Sequence, residues 1–252
     1  MGGALTVAAV AVPAGPLLPR EFFAVHSLEV APRLLGCVLE HETEAGLVAV
    51  RLTEVEAYEG AADPASHSYR GRTARNGVMF GGPGHAYVYF TYGMHWCVNI
   101  VCLPPGTASA VLIRAGQVVA GVPLAEARRT AGRARPSALA ERELARGPAR
   151  LCQALGIDRA QNGLDVCSAE SALRIRAAAA GAGPVQVSQG PRVGISKAAD
   201  WPWRFWVTGD PTVSVYRPAV PRVRAARAGG ALRPAQPKAV SPSAGEDGTM
   251  NR

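Results

Sequence analysis

The residue pattern predicts a chain of mixed α and β structure, and two observations carry that expectation. Short runs rich in Val, Ile, Leu and Tyr stand in pairs about glycine-containing links, the mark of β-hairpins. Between and after them lie runs with helical spacing of apolar residues and a glycine just past the end, where helices stop. The length of 252 residues suits one sizeable domain or two small ones. The stretch from Thr53 to Arg114 organises the rest. It mixes strand-like runs with Gly/Pro-punctuated loop, as expected where loops carrying function are held by a rigid sheet.

Taken in order, residues 1–18 are mildly apolar, lack a basic start and contain two prolines. They read as a weakly ordered tail and not as a signal peptide. Ser27 is placed to cap a helix in which Leu28, Ala31, Leu34 and Leu35 share a face, and Gly36 is placed to end it. This helix reads as scaffold. Residues 37–42 and 47–57 read as strands joined through 43–46, where Gly46 permits the turn. Strict alternation puts Val48, Val50, Leu52, Glu54 and Glu56 on one face. An unpaired buried charge is costly. Either the two carboxylates have a reason to be there, or the strand end emerges into solvent.

Residues 59–86 read as loop, because Asp63-Pro64 and six glycines argue against regular structure. A loop of that length in a compact domain is usually functional or disordered. Here Met79 and Phe80 provide apolar anchors. Residues 86–92 and 95–102 predict a hairpin, with Gly93 and Met94 at the tip and Tyr92 near the apex. Residues 108–114 predict a further strand ending at Arg114. Helices are expected at 122–132, at 137–146 with Ser137 as cap, and at 149–155 closed by Gly156. Strands are expected at 171–177, 192–196, 204–208 and 212–216.

From residue 217 the chain is Pro-, Ala- and Arg-rich with almost no large apolar residues. It cannot bury a core and reads as a disordered basic tail. The tail carries seven Lys/Arg against two acids, so +5 of the chain's net charge of +8 lies there. That balance favours a polyanionic partner such as nucleic acid, although a solvated, inert surface would have the same composition. The five Cys are scattered and odd in number, which points to reduced thiols in a cytosolic protein and not to a disulfide framework. No apolar run reaches the roughly 18 residues of a membrane span.

The central stretch holds five of six Tyr and three of five His. A carboxylate at a strand end, a strand-terminal Arg, Tyr faces and a His suit a flat aromatic ligand. A carboxylate can also deprotonate a water. There is no GxSxG elbow, no paired Cys–His signal, no phosphate-binding GxxxxGK[ST] and no metal-ligand spacing. Hydrolysis by an activated water, or simple binding, are the chemistries left. Each feature also has a bland alternative: Tyr-rich hairpins fill sheet cores, Arg clusters solvate surfaces, and a loop His anchors a turn.

The motifs Thr53-Glu54-Val55-Glu56-Ala57-Tyr58, Asp63-Pro64-Ala65-Ser66-His67, Arg75-Asn76-Gly77-Val78-Met79-Phe80, Pro83-Gly84-His85-Ala86-Tyr87-Val88-Tyr89 and Tyr92-Gly93-Met94 occur in an order and spacing that resembles the alkyladenine (3-methyladenine) DNA glycosylase family. The likeness continues through Asn99, Val111-Leu112-Ile113-Arg114, Gly147-Pro148, Arg192-Val193-Gly194 and Arg204-Phe205, and covers about residues 18–216. It implies an α+β (mixed) fold: a single domain, residues 19–216, built on a curved, largely antiparallel sheet with surrounding helices. It implies base-excision repair, in which an alkylated purine is flipped from duplex DNA and its N-glycosidic bond hydrolysed. The implied substrate is 3-methyladenine, with 7-methylguanine and hypoxanthine as further candidates. Glu56 matches the general base and Arg114 the residue that helps hold the water. Tyr58, His67 and Tyr89 match the enclosure of the flipped base, and Asn99 a residue that rejects guanine. Tyr92 matches the wedge that fills the vacated stack. Arg72, Arg75, Met94 and His95 are the expected DNA contacts, His95 standing where vertebrate relatives carry an aromatic residue.

The implied enzyme is a monofunctional hydrolase that leaves an abasic site. Its only lysines, Lys197 and Lys238, lie outside the central stretch, so no Lys nucleophile is expected. No cofactor and no metal are expected. The expected partner is double-stranded DNA containing alkylated bases, met by a monomer in the cytoplasm, on the nucleoid in a bacterium. Two rivals stand beside it. A non-catalytic nucleic-acid-binding module would have no use for a carboxylate facing phosphates. A nucleoside hydrolase would have no use for the wedge.

Overall fold

In the computed structural model, which describes residues 14–91, 93–132 and 138–219, a broad sheet carries helices on one face. The strands are β1 (Ala14–Leu17), β2 (Val38–Thr43), β3 (Gly46–Tyr58), β4 (Ala86–Thr91), β5 (His95–Val101), β6 (Ala110–Ala120), β7 (Ala145–Arg146), β8 (Leu173–Ala178), β9 (Val187–Gly190) and β10 (Arg204–Val207). The helices are α1 (Ser27–Leu34), α2 (Val122–Thr130) and α3 (Pro148–Leu155). The spatial order is β1-β8-β2-β3-β6-β5-β4, with β10 beside β3, β9 beside β10 and β7 beside β6. These pairings are antiparallel. The fold is the expected α+β single domain, and the sheet is open.

Local chemistry accounts for the elements that sequence anticipated. Gly46 takes φ +120 in the β2–β3 turn, a conformation that other residues rarely adopt. The α1 face Ser27, Val30, Ala31 and Leu34 is buried, the i, i+3, i+4, i+7 stripe of a core-facing helix. Pro148 opens α3 and Gly156 closes it in the left-handed region, each where its backbone is suited. Val30, Leu34, Leu151 and Leu155 meet Val50, Leu52, Val55, Ile100 and Ile113 in one core.

Several expectations are corrected. Ser27 does not cap α1 from outside; it is the first helical residue, and its hydroxyl donates to Glu59 Oε1 at 2.6 Å. Ala14–Leu17, within the stretch read as a tail, form β1 on β8; residues 1–13 lie outside the described residues. The strand after the 103–109 loop runs on to Ala120. The helix expected over 137–146 is instead a 3-10 turn, Glu141–Glu143, followed by β7. Its charges are drawn outward, with Glu143 accepting from both Arg146 and Arg150. Ser137 lies outside the described residues, as does 220–252 of the basic tail.

The strands expected at 192–196 and 212–216 are irregular. Pro191 offers no N–H to extend β9. At 212–216 the backbone is satisfied by side chains instead of a ladder. Ser214 N donates to Glu54, while Val213 O and Ser214 O accept from Arg146 and Arg204.

The face assignment of Glu54 and Glu56 also changes. The β3–β6 register is irregular at Glu54, which opposes Ala115 between the Leu52–Gly116 and Val55–Ile113 pairs. Such a bulge resets the alternation. Val48, Val50 and Leu52 face the core before it, and Val55 and Ala57 after it. Glu54 and Glu56 therefore point to the other face, yet both are fully buried. Gly116 makes the close approach feasible: a Cβ there would stand 2.4 Å from Arg51 O.

His41 supports the β2–α3 contact, with Nδ1 and Leu155 O at 2.8 Å. Burial holds its pKa below the ordinary histidine value. The unfolded chain therefore takes up the proton first, and stability falls as pH drops through the ordinary histidine range. His41→Gln is expected to show a shallower decline in melting temperature between about pH 7 and 5 than the wild-type chain; parallel declines would remove His41 from this role.

Candidate active site

The site floor is a row across neighbouring strands. Arg204 pairs with Glu56, Glu56 with Leu112, Leu112 with Asn99 and Asn99 with Tyr87. Side chains opposite one another share a face, so β10, β3, β6, β5 and β4 each place one residue in this row. At this point the sheet also changes partners. β2 leaves β3 at Arg51 and β10 joins it at Glu54. β5 leaves β6 at Leu112 and β7 joins at Ala115. A cavity of about 260 Å³ opens over the row, lined among others by Glu56, Tyr58, His67, Tyr89, Asn99 and Arg114.

Glu56 Oε1 accepts from Val193 N at 2.7 Å and lies 3.2 Å from Arg114 Nη1. Its Oε2 accepts from the Tyr58 hydroxyl at 2.9 Å. A carboxylate offers about four acceptor positions. Hydrogen bonds use one on each oxygen, and Arg114 stands at ion-pair distance from Oε1, so an open one lies on Oε2. Arg114 is buried, and its Nε donates to Glu54 Oε1 at 2.8 Å. Burial opposes its charge, but Glu56 and Glu54 outweigh burial and push its pKa up. Glu54 also accepts from Arg204 Nε and from Ser214 N and Oγ. Burial pushes the Glu54 carboxyl up; Arg114, Arg204 and Ser214 together carry it below the ordinary range.

The opposite wall is aromatic. The His67 ring meets Tyr89 edge-on at 4.5 Å, and Tyr87 stacks on Tyr89 at 5.5 Å. Burial, reinforced by Glu56, raises the Tyr58 pKa; burial, reinforced by Cys97, raises that of Tyr89. Both phenols are therefore neutral. Burial and then Arg75 lower the His67 pKa, although His67 keeps an exposed edge. Asn99 Nδ2 donates to Tyr87 O at 3.2 Å, which fixes the amide.

Two loops close the walls through one buried ion pair. Arg192 Nη2 donates to Asp63 Oδ1 at 2.8 Å, and Nη1 donates to Ala57 O at 3.0 Å. Neither side chain is exposed. The guanidinium lies 4.5 Å from the Tyr58 ring centre, which holds that ring against its back. The same loop delivers Val193 N to Glu56.

The sequence profile of the methylpurine-DNA glycosylase family matches residues 21–211. The chain belongs to that family. The glycosylase has bacterial relatives that carry the name "Putative 3-methyladenine DNA glycosylase". One from Streptomyces avermitilis is 54% identical over 216 residues, covering 85% of this chain and 99% of its own. One from Leifsonia xyli is 50% identical over 202 residues, covering 79% and 92%. One from Burkholderia lata is 49% identical over 200 residues, with the same coverage. The chain is thus an enzyme of DNA repair, a DNA glycosylase and so a hydrolase.

The glycosylase brings Glu56, Arg114, Tyr58, His67, Tyr89 and Asn99 together in the cavity. His95, expected as a DNA contact, also lines it, from an exposed position at the start of β5. Met94 is 65% exposed at the hairpin tip. Arg72 and Arg75 are exposed on the 59–86 loop, and Arg75 Nη2 donates to Phe90 O at 2.9 Å. Tyr92 lies outside the described residues. Among the described residues no helix is long and apolar enough to cross a membrane, and no group of three His, Cys, Asp or Glu is placed to hold a metal ion.

Sequence reasoning did not assign roles to Asp63, Arg192, Arg204 or Ser214. Asp63, Arg192 and Arg204 stood inside those motifs, but their ion-pair partners lie 129 or more residues away. The available signal was Arg204 itself, a cation leading an aromatic strand of Phe205 and Trp206. A second cleft, sharing Arg114 and Val193 with the cavity, is lined by Arg146, Arg150 and Arg217.

Proposed function

We propose that the glycosylase flips alkylated purines from duplex DNA into the cavity and hydrolyses the N-glycosidic bond with a water activated by Glu56. The observation that carries this reading is the open acceptor position on Glu56 Oε2, at the foot of an aromatic enclosure. A water donating there is aligned to pass its proton to the carboxylate as its oxygen bonds to the sugar carbon. The bond electrons leave with the base, and an abasic sugar remains. Arg114 Nη1, beside the same carboxylate, helps hold the water.

A base in the stack is unreachable, and flipping it costs a few kcal/mol. Tyr92, which lies between β4 and β5 in the sequence, is assigned to fill the gap and offset part of that cost. Tyr58, His67 and Tyr89 then face the extruded base. An alkylated purine such as 3-methyladenine or 7-methylguanine carries a positive ring, which aromatic faces attract and which leaves as a neutral base. His67 fits this role, because a neutral imidazole does not repel the cation. Asn99, with its amide fixed, helps reject guanine through its exocyclic amine, a penalty that the positive ring of 7-methylguanine offsets. Arg72, Arg75, Met94 and His95 face the duplex around the cavity mouth. The enzyme acts as a monomer in the cytoplasm.

The test is single-turnover base release from duplexes carrying 3-methyladenine, 7-methylguanine or hypoxanthine. Release is expected with both cationic lesions and faster than with neutral hypoxanthine. Tight binding to all three without release would replace this reading with a non-catalytic nucleic-acid-binding module.

A further inference from the structure

We propose that Glu54 is a positioning residue that fixes the Arg114 guanidinium beside Glu56. This inference rests on the reading of Glu56 and Arg114 given above and names what holds them in register.

The geometry behind it is specific. Arg114 turns its Nε to Glu54 Oε1 at 2.8 Å and presents Nη1 to Glu56 at 3.2 Å, an ion-pair distance. Guanidinium and carboxylate favour a two-bond fork when free to form one. A fork onto Glu56 would occupy both oxygens and cover the acceptor position that a water needs. Glu54 prevents it by taking Nε. Glu54 is in turn held from three sides. Arg204 Nε reaches Oε1 at 2.7 Å, Ser214 Oγ reaches Oε1 at 2.9 Å and Ser214 N reaches Oε2 at 2.7 Å. Arg204 also donates to Ser214 O at 2.9 Å, closing the ring. Glu54 and Glu56, two residues apart, share a face, and the β3 irregularity turns that face away from the core and toward Arg114. Glu54 does not line the cavity, so it acts through Arg114 and not on the base. Two buried carboxylates and two buried arginines also match in charge, which a buried cluster requires.

The experiment compares wild type, Glu54→Gln, Arg114→Gln and the double variant by single-turnover release of 7-methylguanine from duplex DNA, with duplex affinity and melting temperature measured in parallel. Glu54→Gln is expected to slow release by about 10- to 100-fold, the scale of a misplaced catalytic group, while duplex affinity stays within about threefold. A residue that merely stabilised the fold would lower the melting temperature without splitting chemistry from binding. In the Arg114→Gln background, where Arg204 still partners Glu54, adding Glu54→Gln is expected to cost nothing further. Losses that multiply, or a Glu54→Gln rate equal to wild type, would overturn the proposal. Should Glu54→Gln not fold, Ser214→Ala removes one support of Glu54 and keeps the backbone bond. A slowing of about threefold that vanishes beside Arg114→Gln supports the proposal; an unchanged rate refutes it. Failure of wild type to release any base would instead defeat the proposed function.

Discussion

Glu56→Gln is expected to slow base release by orders of magnitude while leaving the fold and lesion binding in place. The substitution is nearly isosteric, and its hydrogen bonds can be rebuilt. The amide oxygen can accept from Val193 N and face Arg114, as Oε1 does now. The amide nitrogen can donate to the Tyr58 hydroxyl, which turns from donor to acceptor. Arg114 keeps Glu54 as its partner. What is lost is the proton acceptor and the negative charge beside the sugar. General-base catalysis contributes about 10²- to 10⁴-fold, and single-turnover release should fall by that amount with duplex affinity nearly unchanged. Release at the wild-type rate would take the proton transfer away from Glu56.

The largest effect on stability is expected at the Asp63–Arg192 pair. Both side chains are fully removed from solvent, so removing either leaves a buried charge without its partner. Such losses cost roughly 3–5 kcal/mol. For a domain of this size that lowers the melting temperature by roughly 10 °C. Asp63→Ala should show this loss. It should also slow base release, because Arg192 backs Tyr58 and its neighbour Val193 holds Glu56. Replacing both partners with apolar residues, Asp63→Val with Arg192→Met, should recover much of the stability, since the desolvation cost of two charges disappears with them. It should not recover the rate, as nothing then aims Val193 N. A melting temperature for Asp63→Ala within a degree or two of wild type would show that the pair is not structural.

Much of the architecture could be read locally. The β2–β3 and β4–β5 hairpins follow from alternating apolar runs about glycine-bearing turns, and α1 and α3 from helical stripes closed by Gly36 and Gly156. The cavity residues Glu56, Tyr58, His67, Tyr89, Asn99 and Arg114 were legible as a motif set, because their spacing survives in the linear chain. The strand expected at 192–196 failed at Pro191, and the helix expected at 137–146 and the strand expected at 212–216 failed for one shared reason. Their backbones or side chains are committed to distant partners, such as Ala115 for Arg146 and Glu54 for Ser214.

The facing of the two carboxylates shows most clearly what residue order leaves open. Alternation along Val48–Glu56 pointed both toward the core, because it assumes an unbroken pleat. The bulge opposite Gly116 arises only when β3 pairs with β6, and it turns Glu54 and Glu56 toward Arg114 and Arg204. Residue types and turn chemistry set the hairpins, the helices and the identity of the pocket's side chains, since those depend on neighbours a few positions apart. Which face the carboxylates occupy, and which cations meet them, depends on pairings 60 to 150 residues apart, and only the folded sheet decides them.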